Sequence, residues 1–235
     1  MYRLSPDQER TPIRRRTLLM GGFAGAINCA VPAVARAATA FVLPNAAANR
    51  RFSVRYKGIG IGTHTISYSS ATGETHVKTE INLEVKLAFI TAYAFSHRSE
   101  ETWRAGRLMS LSGDTVEHGE PLHVEGAATP HGFRIVSKAG PFIASAATLT
   151  SNSLWTPAML EQTTVVDAQH GGVIGVSARK LADEAIVITG RQVQATRYKF
   201  ITPYYAGSVW YDNGNHWVRA EFERDGSKVQ YQLET

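Results

Sequence analysis

Over Thr75 to Leu87, the residues Val77, Thr79, Ile81, Leu83, Val85 and Leu87 alternate with His76, Lys78, Glu80, Asn82, Glu84 and Lys86. A period of two sustained for thirteen residues describes a strand with one buried and one wetted face, and a helix cannot satisfy it. Such a strand needs neighbours of the same kind. From Arg50 onward the pattern is β almost throughout. Residues 52–69 give one or two strands, closed by the turn Ala71-Thr72-Gly73. Further strands are predicted near 92–104, 107–116, 121–128, 131–138, 171–181, 184–190 and 191–201. Their turns fall at Ala105-Gly106, Gly119-Glu120-Pro121, Thr129-Pro130, Ala139-Gly140-Pro141 and Ala182-Asp183.

The C-terminus predicts a three-stranded meander. Asn213-Gly214 suits a two-residue hairpin turn with positive φ at both positions. Centring the turn there pairs Tyr211 with His216, Trp210 with Trp217 and Val209 with Val218. Asp225-Gly226 gives a second hairpin pairing Glu223 with Lys228, Phe222 with Val229 and Ala220 with Tyr231. On these registers Val209, Tyr211, Val218, Ala220 and Phe222 share an apolar face with Val229, Tyr231 and Leu233. Trp210 and Trp217 then stand opposite each other among charged residues. The expected fold is all-β: a single curved antiparallel sheet, barrel or half-barrel of about ten or more strands over residues 50–235, since a sheet that wide must curl, close or split. One short helix is expected near 157–161, with Thr156 as cap and Pro157 in its first position.

The first 37 residues read differently. Arg14, Arg15 and Arg16 precede a Gly/Ala-rich apolar run from about Leu18 to Val34. Ala35-Arg36-Ala37 and Ala38-Thr39-Ala40 offer small-x-small cleavage sites after Ala37 or Ala40. This is the order of a secretory signal, and the Arg-Arg-x-Leu-Leu core fits twin-arginine export. The expected products are a signal peptide (1–37), a linker (38–49) and an exported, periplasmic domain. The export machinery and signal peptidase are its first partners. Removing residues 1–37 takes away six basic and two acidic residues, so the formal charge of +5 falls to 19 basic against 18 acidic residues. A nearly neutral domain lacks the basic face that nucleic acid requires. Cys29 also lies in the leader, and Asn28 before it fits a lipoprotein site poorly. The mature chain therefore has no thiol for a disulfide, a zinc site or a nucleophile. No run of 18 or more apolar residues follows the leader, so no helical membrane anchor is expected in the mature chain.

The segments Val209-Trp210-Tyr211-Asp212-Asn213-Gly214, Trp217-Val218, Phe222-Glu223-Arg224-Asp225-Gly226 and Val229-Gln230-Tyr231-Gln232-Leu233 carry a resemblance. Together with Ser153-Leu154-Trp155-Thr156-Pro157-Ala158 and the run from Gly190 to Tyr198, they resemble a set of exported proteobacterial proteins grouped only as domains of unknown function. The resemblance spans roughly residues 50–235. It implies a β fold and no site residues. By architecture alone, lipoprotein-carrier-like sheets and lipocalin-like barrels are similar.

Chemistry-bearing motifs are scarce. Gly58-Ile59-Gly60-Ile61-Gly62 has Thr63 where a dinucleotide fingerprint needs another glycine, and it sits within strand. Alternate glycines there permit sharp coiling or a close approach by another element or a ligand. The eight histidines show no metalloprotease spacing and read as surface imidazoles, except that His64 faces Ile81 if the turn is Thr72-Gly73. His118, Glu120 and His123 form the one candidate metal cluster. No G-x-S-x-G elbow is present. Glu100-Glu101 reads as an exposed acidic patch. Trp210 and Trp217 need cover from the N-terminal segment, the short helix or a second sheet, or else form an aromatic patch rimmed by Tyr204 and Tyr205.

The function expected from these features is non-enzymatic binding, without a cofactor, of an apolar small molecule or an envelope-protein segment. Its candidate ligand-binding residues are Trp210, Trp217, Tyr204, Tyr205 and His64. The alternatives are an enzyme with a His/carboxylate or metal site inside a barrel, and a structural component of an envelope assembly.

Overall fold

In the computed structural model, residue 43 and residues 49–87, 90–224 and 226–234 are described. The leader and most of the expected linker lie outside them. Fifteen strands run in chain order: β1 (Arg50–Tyr56), β2 (Ile59–Ala71), β3 (Glu74–Leu87), β4 (Ile90–Arg104), β5 (Arg107–Glu117), β6 (Glu120–Thr129), β7 (Gly132–Ser137), β8 (Phe142–Ala144), β9 (Thr164–Val166), β10 (Val173–Gly175), β11 (Ser177–Ile188), β12 (Arg191–Ile201), β13 (Ala206–Asp212), β14 (Trp217–Arg224) and β15 (Ser227–Leu233). Thirteen of them form one antiparallel sheet in the order β11-β12-β13-β14-β15-β1-β2-β3-β4-β5-β6-β7-β8. The fold is therefore all-β, and β1 joins the C-terminal strand to the N-terminal meander. Among the described residues no pairing between β8 and β11 closes the sheet.

Tight X-Gly turns impose this meander. Thr72-Gly73 holds φ of 51° and 80°, and Lys57-Gly58, Ala105-Gly106, His118-Gly119 and Thr189-Gly190 repeat the pattern. Two consecutive positive φ values match the strand twist, and glycine in the second place removes half of the steric cost. With the turn at Thr72-Gly73, His64 pairs with Ile81 as expected.

The interior of the curved sheet is filled by the chain between its two edge strands. Residues 145–176 carry two short 3-10 helices, Ser153–Trp155 and Pro157–Glu161, and the β9–β10 hairpin. Thr156 caps the second helix, accepting from the Ala158 amide, with Pro157 in its first turn. Leu149, Leu154, Trp155, Met159, Val166 and Ala168 join the main core with Phe52, Ile66, Trp103 and Phe200. The contacts reach strands far apart in the sheet. Trp155 meets Trp103 on β4 and Tyr68 on β2, edge to face, at 5.7 and 5.9 Å. The Tyr211 hydroxyl of β13 donates to the Leu154 carbonyl at 2.8 Å.

Four local expectations need correction. Residues 177–188 form a single strand in which Leu181 and Ala182 bulge, so no turn lies at Ala182-Asp183. The β5–β6 turn is His118-Gly119, one step earlier than expected. The Asn213-Gly214 loop is longer, because the Asp212 carboxylate accepts from the Gly214 and His216 amides and moves the positive φ to Asn215. Tyr211 consequently pairs with Trp217, and a bulge then sets Trp210 against Arg219. Trp217 turns into the core while Val218 turns out beside Trp210. The second hairpin keeps its expected register, Glu223 with Lys228 and Ala220 with Tyr231.

Candidate functional site

The turns β1–β2 and β5–β6 lie at the same end of the sheet as the Leu87–Ile90 pairing of β3 with β4. There the glycine alternation has a definite mechanical role. Val54 pairs with Gly62 and Arg55 with Gly60, which leaves Ile61 as an extra residue in β2. Gly62 has φ of 148°, and a Cβ there would lie 1.9 Å from the Asn82 carbonyl oxygen. Only glycine lets β2 press this closely on β3. Gly60 is different: a Cβ there meets nothing within 4 Å. The bend opens a mostly apolar cleft of about 830 Å³, lined by residues 59–62, 82–86 and 94–96 with Tyr56, Lys57, Val116 and Gly119. Ile59 and Val116 are exposed in it.

A second feature is a polar seam between the inner face of β4–β5 and the segment filling the interior. The Asn152 amide nitrogen lies 2.9 Å from His97 Nε2 and 2.7 Å from Ser99 Oγ. With Nε2 accepting, the His97 Nδ1 proton points at Thr115 Oγ1, 2.9 Å away, and the Thr115 hydroxyl donates to the Gln169 carbonyl. Burial lowers the His97 pKa to about 4, so the ring is neutral and bridges Asn152 and Thr115. Four residues beyond His97 on β4, Glu101 is 1% exposed. Its carboxylate accepts from Trp103 Nε1 at 2.9 Å and from the Thr150 hydroxyl at 2.6 Å. Burial raises its pKa to about 7, against the pull of those two bonds. His170 sits between Asp167 at 3.1 Å and Glu117 at 3.2 Å. Its bond to Asp167 leads in raising its pKa to about 9, so it is an imidazolium at neutral pH.

The residues anticipated as ligand contacts are dispersed, and none lines the cleft. His64 is buried with both ring nitrogens lacking a hydrogen-bond partner, and burial lowers its pKa to about 3. Its ring packs edge to face on Trp217 at 5.2 Å and on Tyr231 at 5.8 Å. Trp217 is a core residue packed at a tilt on Phe52, ring centroids 4.1 Å apart. Trp210 lies on the outer face, covered by its own neighbours: the Arg197 and Arg219 guanidiniums stand 5.0 and 5.1 Å from its ring, and its Nε1 donates to Glu184. Tyr205 packs on Phe222 in the interior, and Tyr204 is exposed near His170. The two tryptophans therefore form no common patch.

The anticipated metal cluster is not assembled. His123 is on the outer face of β6 with its two nitrogens on Asp114 and Glu125, whereas His118 occupies a turn against Tyr93. Among the described residues no three His, Cys, Asp or Glu side chains are placed to hold a metal ion. Glu101, expected in an exposed acidic patch, is instead buried, while its neighbour Glu100 faces solvent. His97, expected among the surface imidazoles, is 2% exposed because it lies on the inner face of β4, and Asp167 was not anticipated. The strand parity of β4, which puts His97, Ser99 and Glu101 on the Trp103 face, was the signal available.

A family model described as Domain of unknown function (DUF6134) matches residues 52–234. A search of curated proteins finds no match. Among solved structures, the chain is similar to a β-barrel-like protein of the domain of unknown function DUF1849 from Brucella abortus. The TM-score is 0.58 at 10% identity, over 79% of this chain and 94% of that one. At that identity the likeness speaks to fold alone.

Proposed function

Proceeding from the chain's membership of the DUF6134 family, which carries a fold and no stated activity, we propose that it is an exported, periplasmic binding protein without enzymatic activity. Its ligand is an apolar small molecule or the apolar side chains of an envelope protein. The observation carrying this reading is the cleft of about 830 Å³ at the glycine-bent end of the sheet, whose lining includes the outward-facing Asn82, Ser96 and Val116, whereas the interior is filled by side chains. A concave, mainly apolar surface of that size suits a lipid-like molecule. The leader and the near-neutral charge of residues 38–235 support export and argue for recognition by shape and apolar contact. The buried seam ties the interior segment to the sheet through His97, Glu101 and Thr115, and is read as structural.

The test is saturable binding of a hydrophobic dye by the native protein, compared with Gly60→Phe. Position 60 has open space at its Cβ, so the new ring occupies the cleft without disturbing the sheet. The expected result is dye binding weakened by roughly tenfold, equivalent to about 1.4 kcal/mol, at unchanged stability. Absence of saturable binding by the parent protein, or identical binding by Gly60→Phe, would refute the assignment.

A further inference from the structure

Among the described residues, β11 pairs with β12 on one side and with no strand on the other. Alternate residues of this twelve-residue strand therefore turn their backbone N–H and C=O groups to the open side, a template for another strand, and the Pro157–Glu161 helix packs near part of it. The side chains along this edge have a particular order: Arg179-Lys180-Leu181-Ala182-Asp183-Glu184, two cations, two apolar residues and two anions. That order complements itself when read backwards. Antiparallel pairing with a second copy, about a twofold axis between Leu181 and Ala182, sets Lys180 against Asp183 of the partner subunit. It also sets Arg179 against Glu184 of the partner subunit.

Matching sign is not sufficient, because opposed residues must also share a face. In a regular strand Lys180 and Asp183, three residues apart, would point to opposite faces. The bulge reverses that. Lys180 pairs with Tyr198 and Asp183 with Thr196, so Leu181 and Ala182 together take one place in the ladder. Lys180 and Asp183 thus fall on one face, and Arg179 and Glu184 on the other. The irregularity brings sign and face into agreement for both charge pairs at once. The two carboxylates are also held in place from their own sheet. Asp183 accepts from the Thr196 hydroxyl at 2.6 Å, and Glu184 accepts from Trp210 Nε1. Within the described chain neither Arg179 nor Lys180 forms an ion pair.

We propose that β11 is a homodimer edge, across which two copies pair isologously and their sheets run on into each other. Charges and a bulge on a free strand can also serve to prevent pairing, and that function does not need the self-complementary order. Sedimentation of the purified protein over a concentration series separates the two. Dimerisation is expected, weakening as salt screens the charge pairs. Lys180→Asp and Asp183→Lys each oppose like charges twice across the axis, and each should weaken the dimer by roughly tenfold or more. The double variant K180D/D183K restores opposite signs and should recover most of that loss. Circular dichroism checks the fold of each variant. Independently of any variant, hydrogen exchange in 177–188 should slow as protein concentration rises. A monomer at every concentration, a dimer indifferent to the single reversals, or a double variant no better than either single one overturns the proposal.

Discussion

At the residue scale the most consequential side chain is Glu101. A carboxylate in a core costs desolvation energy, offset here by bonds from Trp103 and Thr150. The unfolded glutamate titrates near 4.5 and the folded one near 7. The native state therefore holds the extra proton between those values, and stability falls as pH rises from about 4.5 to about 7. Glu101→Gln removes that slope. Relative to the parent, the variant should gain up to about 3 kcal/mol between pH 4.5 and pH 8, read from urea unfolding at the two pH values. An unchanged difference between variant and parent would mean that Glu101 stays ionised throughout. The sequence pattern misjudged this residue because Glu100-Glu101 in isolation gives no face, whereas two-residue steps from Trp103 do. Trp210 shows the converse. Its outward direction was legible, but its cover by Arg197 and Arg219 depends on pairings across three strands.

At the scale of elements, β2 is where sequence and geometry meet most directly. The alternation of glycines was readable as a site of coiling, and the bulge at Ile61 with the close approach at Gly62 realises it. Gly62→Ala combines a positive φ with a Cβ driven into the Asn82 carbonyl. It should destabilise by on the order of 2–4 kcal/mol in denaturant unfolding. Gly60→Ala should fall within about 0.5 kcal/mol of the parent, and equal effects at the two positions would refute this account of the bend. The β13–β14 hairpin was less legible. Its Asn213-Gly214 signal was outcompeted by the Asp212 carboxylate capturing two amides, a local alternative that lengthened the loop and exchanged Trp217 with Val218. In β11 the Ala182-Asp183 break is real as a disturbance of the alternation, but a bulge produces the same sign as a turn.

For the whole molecule, titrating groups of opposite tendency set a pH optimum. His64 and His97 are held neutral, with pKa values lowered to about 3 and about 4, so the unfolded chain binds protons first and stability drops as pH falls below 6.5. Glu101 and His170 act the other way. His170, raised to about 9 between Asp167 and Glu117, contributes fully below 6.5 and progressively less as pH rises through 9. Stability should therefore peak around pH 6 to 7. His170→Gln should flatten the limb between pH 7 and pH 9 while leaving the acid limb in place. A parent profile flat over that alkaline range would contradict the ion-pair geometry.

The sequence by itself determined the β class, most strand positions and the register of several hairpins, because a period of two and an X-Gly turn are local properties of the backbone; the direction of His64 followed only once the turn was placed at Thr72-Gly73. Tertiary structure decided that no described strand pairing closes the sheet, that residues 145–176 fill it, and that His97, Glu101 and Asp167 are all buried. Those outcomes depend on which distant strands share a face, and the physical reason is register: one bulge or one captured amide shifts a whole strand's side chains from solvent to core.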